Sequence, residues 1–149
     1  MPQPRARELT DLPPPDSNDS EGALVTHRRR AVLIYEVASS TQLAAVLFTD
    51  CLHASAGGPN DEAFHNHPLN ASTGPYSIWE VEGSDWLLEQ AAISDRDANP
   101  ERLSRGRRHY VCSFKENTVD LLAAQYRLIG QFRDRKAAWN AASEALQIT

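Results

Sequence analysis

With 149 residues, 41% of them hydrophobic and 23% charged, and a formal charge of −5, the chain fits one ordinary soluble domain. Seven glycines exclude a collagen-like repeat, and no apolar run approaches the length of a membrane-spanning helix. Residues 1–83 hold eleven acids against five arginines, while 84–149 hold nine acids and ten bases, so neither nucleic acid nor an anionic membrane is an expected partner.

Residues 1–22 contain five of the nine prolines, including Pro13-Pro14-Pro15, and little that is apolar. The composition predicts a disordered tail, with a polyproline ligand as the functional alternative, and leaves 23–149 as a single domain. Ala31 to Val37 and Ala44 to His53 are β-branched and aromatic runs separated by a short polar break, which predicts a hairpin. Residues 54–74 switch to Gly, Pro, Asn and Ser and read as a long irregular loop, in which Asn60 can cap a helical turn that Pro68 stops. Pro75 to Val81 returns to strand character.

Ser84 is a good N-cap for a helix carrying Trp86, Leu87, Gln90, Ala91 and Ile93, which should end by Asp97. His109 to Phe114 alternates Tyr110, Cys112 and Phe114 on one face with His109, Val111 and Ser113 on the other. Lys115 to Asn117 is a tight turn. The run after it fits both a helical stripe and the second arm of a hairpin, and the strand reading is taken. Asp134 to Leu146 is a helix capped by Asp134, with Ala138, Trp139, Ala142, Ala145 and Leu146 along one face. This order lacks regular βαβ alternation. It predicts an α+β fold: an antiparallel sheet of about five strands, two helices and a long irregular loop.

Cys51 and Cys112 are the only cysteines, without CxxC spacing, and MPQPRAREL shows no apolar core of a secretion signal. A cytoplasmic location with reduced thiols is expected, although spacing alone leaves a bridge between the two open. Asn18-Asp19-Ser20 and Asn70-Ala71-Ser72 match the glycosylation pattern but carry no weight without a secretion signal.

Gly58-Pro59-Asn60-Asp61-Glu62-Ala63, His67-Pro68-Leu69, Tyr76, Glu80-Val81, Ser84-x-Trp86, Arg108-His109-Tyr110-Val111 and Phe114 together resemble a group of small uncharacterised bacterial proteins with no known activity. The resemblance spans about residues 44–124. It implies that Asn60 to Leu69 and His109 to Phe114 belong to one domain, and that a strand follows Asn117. Where sequences of that kind carry a His-Asp-Ser turn followed by Phe-Glu, this chain has Lys115 to Asp120.

His65-x-His67 lies close to Asp61 and Glu62, and imidazole with carboxylate is a ligand set that zinc or another first-row metal accepts. A complete site would need His109 or His53 from a distant strand. The simpler reading makes His67-Pro68 a turn capped by Asn60. A thiol nucleophile would be Cys51 or Cys112 with His53, His65 or His109 as base and Asp61 or Asp120 as orienter, but Cys112 shares a face with core aromatics. Gly57-Gly58-Pro59 leads into acids, so no phosphate loop is expected there. Arg28-Arg29-Arg30 and Arg105, Arg107 and Arg108 could each form a local anion site, but read more simply as solvated strand starts.

Two functions fit. The leading one is a binding or interaction module that recognises a protein partner or small ligand through the 57–74 loop, with Asn60, Asp61, Glu62, His67 and His109 as binding residues. The other is a small, metal-assisted enzyme using Asp61, Glu62, His65 and His67 with His109, His65 and His67 being the metal ligands. No particular cofactor is implied by either. The loop is expected to fold over the sheet and bring one of its polar residues to His109.

Overall fold

The computed structural model describes residues 4–18, 20–69, 73–94, 99, 102 and 104–147. Five strands, β1 (Arg5–Glu8), β5 (His53–Gly57), β6 (Ser77–Glu82), β7 (Arg108–Ser113) and β8 (Thr118–Ala123), form one sheet in the order β1-β6-β7-β8-β5. Another four, β2 (Ala23–His27), β3 (Arg30–Glu36), β4 (Leu43–Thr49) and β9 (Gln125–Phe132), form a second sheet in the order β2-β3-β4-β9. All pairings among these strands are antiparallel. Among the described residues, helices α1 (Asp85–Ser94) and α2 (Arg135–Ala145) join the sheets in an α+β fold.

Alternation along the strands explains how the layers stack. In β3 and β4 the inward residues Leu33, Tyr35, Val46 and Phe48 meet Tyr110, Cys112, Phe114 and Leu121 of the other sheet in one buried core. Residues facing the other way, Val32, Ile34, Ala45 and Leu47, are also apolar because α2 covers them through Ala138, Ala142 and Leu146. These two strands are therefore apolar on both faces, which is why they read as continuous hydrophobic runs. Asp134 caps α2 by accepting from the Ala137 N–H at 2.8 Å. Small alanines on its inner face let it sit close to the sheet, while Trp139, expected on that face, is left 40% exposed.

The five-stranded sheet also has a covered outer face. Phe64 and Leu69 of the segment after β5 lie on Val81 and Val111, and Leu87 of α1 lies on Leu122. On α1, Leu87 is buried, whereas Ile93 is 73% exposed. The expected helix end at Asp97 lies outside the described residues.

Three expectations are corrected. The segment read as a disordered tail contains β1, which pairs with β6 and sets Arg5 opposite Glu82 and Arg7 opposite Glu80. Leu9 and Leu12 are buried in the main core, and the Tyr35 hydroxyl donates to the Pro13 carbonyl at 2.7 Å. Two leucines and a strand's worth of hydrogen bonds are enough to dock a segment whose overall composition is polar. Residues 54–57, assigned to the loop, join His53, assigned to the preceding strand, in edge strand β5 against β8. The run after Asn117 is a strand, but it breaks at Ala124, whose N–H bonds Thr49 O at 3.0 Å, and the chain then enters the second sheet as β9. The expected antiparallel sheet of about five strands is present, and a second sheet of four strands accompanies it.

Candidate functional site

Strand register brings His109, Val111 and Asp120 to the covered outer face. Ser113 pairs with Thr118 and Val111 with Asp120, so Asp120 stands diagonally across from His109. Both histidines converge on one oxygen: His109 Nε2 lies 2.6 Å and His67 Nε2 3.1 Å from Asp120 Oδ1. Their ring centroids are 6.3 Å apart. The expected approach of the loop to His109 is thus made by His67.

Hydrogen-bond partners at the far ring nitrogens set the tautomers. His67 Nδ1 accepts from the Leu69 N–H at 3.0 Å, so Nε2 carries the proton that goes to Asp120. His109 Nδ1 lies 3.0 Å from Ser84 Oγ, and Ser84 Oγ accepts from the Leu87 N–H at 3.1 Å as the N-cap of α1. A neutral His109 that donates from Nε2 must accept at Nδ1, so the Ser84 hydroxyl is its donor. Donors therefore run in one direction from two backbone N–H groups, through Ser84 and the two imidazoles, to a single carboxylate. Each bond in such a chain polarises the next.

Aromatic side chains enclose both rings. Trp86 stacks on His109 at 4.1 Å and 21°, and Phe64 on His67 at 5.4 Å and 9°. His109 is 1% exposed, Ser84 1% and His67 6%. Burial holds the His109 imidazolium below its ordinary range despite the attraction of Asp120. For Asp120, burial acts to raise the pKa, but the hydrogen bonds from His109 and His67 outweigh it and hold the carboxyl lower than usual.

The other expected site residues lie elsewhere. Asn60 Oδ1 accepts from the Ala63 N–H at 3.1 Å and caps the loop's short turn. Asp61 accepts from the Tyr76 hydroxyl and, at 2.9 Å, from the Glu62 N–H. Glu62 and His65 are exposed at the surface. The expected metal pair is therefore split, His65 pointing to solvent and His67 to Asp120. Among the described residues no group of three or more His, Cys, Asp or Glu side chains is placed to hold a metal ion. A metal on His67 Nε2 would need the ring proton at Nδ1, where it would face the Leu69 N–H.

No family model matches the chain, and neither does any curated protein or solved structure.

Both cysteines are free and buried. Burial pushes the Cys51 thiol up to about 11, and its Sγ donates to the His53 carbonyl at 3.3 Å. Burial likewise raises the Cys112 thiol well above its ordinary value. A protonated thiol is a poor nucleophile, so neither meets the requirement for thiolate catalysis at neutral pH. Sequence reasoning weighed Ser84 only as a cap and Asp120 only as an orienter for cysteine. The usable signal was Asp120 as the lone charge in Thr118–Ala123, joined to His109 by a turn short enough to fix register.

Proposed function

We propose that the protein is a small cytoplasmic recognition module that presents the 57–74 loop to a protein partner or small ligand. The observation carrying this reading is the consumption of the buried polar groups in one another. His67, His109, Ser84 and Asp120 form a clasp that fastens the loop and the start of α1 to the sheet. Among the described residues of the loop, Gly57, Gly58, Asn60, Glu62, His65, Asn66 and Pro68 are exposed, a polar and charged edge on a held backbone. Such an edge suits recognition, because little ordering entropy is left to lose on binding. The positions that carry the resemblance to small bacterial proteins include His67, Ser84 and His109 of the clasp and Trp86, which stacks on His109, whereas Asp120 lies in the stretch where the chain departs from that group.

No helix among the described residues is long and apolar enough to cross a membrane. The alternative, a metal-assisted enzyme, draws support from two imidazoles meeting one carboxylate, but it requires both Nε2 protons to leave the clasp. A photo-crosslinking residue at Glu62, compared with one at Glu144 on α2, tests the proposal in cells. A discrete adduct at position 62 alone is expected. Equal labelling at both positions, or stoichiometric zinc binding that is lost in His67→Ala, would overturn it.

A further inference from the structure

A cavity of about 490 Å³ opens where the end of β2 meets the start of β5, along the seam between the two sheets. Its wall carries His27, Arg28, Arg29, Arg30 and His53 and, among the described residues, no carboxylate. That concentration of positive charge stands out in a chain of net charge −5. Asp50, next to the cavity wall at Cys51, is held through both oxygens by Arg107 at 2.8 Å and pairs with Arg29 at 3.9 Å. Two of the basic groups are anchored on the last carbonyls of the α2 segment: Arg30 donates to Ala145 O at 3.0 Å and His27 to Leu146 O at 2.9 Å. Arg28 forms no ion pair among the described residues and is exposed.

The backbone makes an independent case. Arg28 and Arg29 are the two residues of the β2–β3 hairpin turn, between the paired His27 and Arg30, with φ of 50° and 60°. A two-residue turn with both residues left-handed favours Asn-Gly, and arginine there is strained. The Cys51 N–H fixes this conformation by donating to Arg29 O at 2.8 Å. Strained residues of functional type at the mouth of a charged cavity are a signature of a binding site.

We propose that this cavity binds the phosphate group of a small phosphorylated molecule, with Arg28 and Arg29 as its principal ligands and Arg30 as a third positive charge behind them. Guanidinium forks match phosphate oxygens in geometry, and two of them offset a dianion. The volume suits a metabolite-sized ligand. This site is separate from the loop edge and does not depend on its role.

The test uses the full chain with inorganic phosphate, pyrophosphate and phenyl phosphate, set against chloride at matched ionic strength. Isothermal titration should show saturable binding to the wild type. Replacing the turn by R28N/R29G relieves the strain, so the variant should melt higher than wild type while binding phosphate more than about tenfold more weakly. R28Q/R29Q, which keeps side-chain length, should lose binding without the gain in melting temperature. Tighter binding of phenyl phosphate than of inorganic phosphate would support an organic phosphate as the ligand. No binding beyond chloride, or undiminished binding by R28N/R29G, would overturn the proposal.

Discussion

Asp120 concentrates the polar energetics of the covered sheet face on one carboxylate oxygen. His109→Ala leaves that oxygen short of its closest donor and also removes the ring on which Trp86 stacks, so a loss of about 2–4 kcal/mol is expected in urea denaturation. His67→Ala should cost a similar amount, because it also removes the acceptor of the Leu69 N–H. Both outcomes reverse the expectation that follows from reading these residues as an exposed site. Stability should also fall on acidification. His109, whose folded pKa is depressed, contributes in full above its unfolded value of 6.5, and that contribution is lost as pH falls through the folded value. Asp120 is depressed from 3.8 and adds a second loss below that pH. Chemical denaturation at a series of pH values should show the decline beginning near 6.5, and Asp120→Asn should flatten its lower limb. At this scale the two histidines were visible in the sequence as isolated imidazoles. Their shared partner was not, since a single Asp in an apolar strand has no motif.

Among the elements, the N-terminal segment departs most from its composition. Deleting residues 1–22 removes β1 and the buried Leu9 and Leu12 and uncovers part of the core, so the melting temperature should drop by many degrees. Leu9→Ala and Leu12→Ala should each cost about 2–4 kcal/mol in the full chain. Gly22 marks where this segment passes the core: a Cβ there would lie 2.4 Å from the buried Phe114 ring. Its backbone is gripped by the Asn117 side chain, which accepts from Gly22 N at 2.8 Å and donates to Gly22 O at 2.9 Å. Gly22→Ala should therefore destabilise by about 1–3 kcal/mol, measurable by the same denaturation curves. Elements with a strong period or cap, such as β3, β7 and α2, were legible because local pattern and tertiary role agree in them. β1 and β5 were not. RARE and HASAG have little strand propensity, and they form strands because each adds to the edge of an already folded neighbour.

For the whole molecule, two face-to-face sheets under separate covers enclose Cys112 in a layer that opens only with the fold, whereas Cys51 lies in the β4–β5 turn on the wall of the cavity. Cys112 should resist a thiol reagent at pH 8 in native protein and react as denaturant reaches the global transition, which a colourimetric titration would record, and Cys51 should react ahead of it. The sequence alone determined the α+β class, the β3–β4 and β7–β8 hairpins, the capped final helix and the two faces of β7. Each of these depends on contacts between residues close in the chain or on a simple alternation, so local chemistry suffices. Tertiary structure alone decided that the strands divide into two sheets, that the N-terminal segment docks, and that His67 and His109 share Asp120 under a cover. Those outcomes depend on which apolar faces can bury one another at long sequence separation. Composition and periodicity carry no record of that pairing, and a strand edge or a lone carboxylate acquires its role only when its distant neighbour arrives.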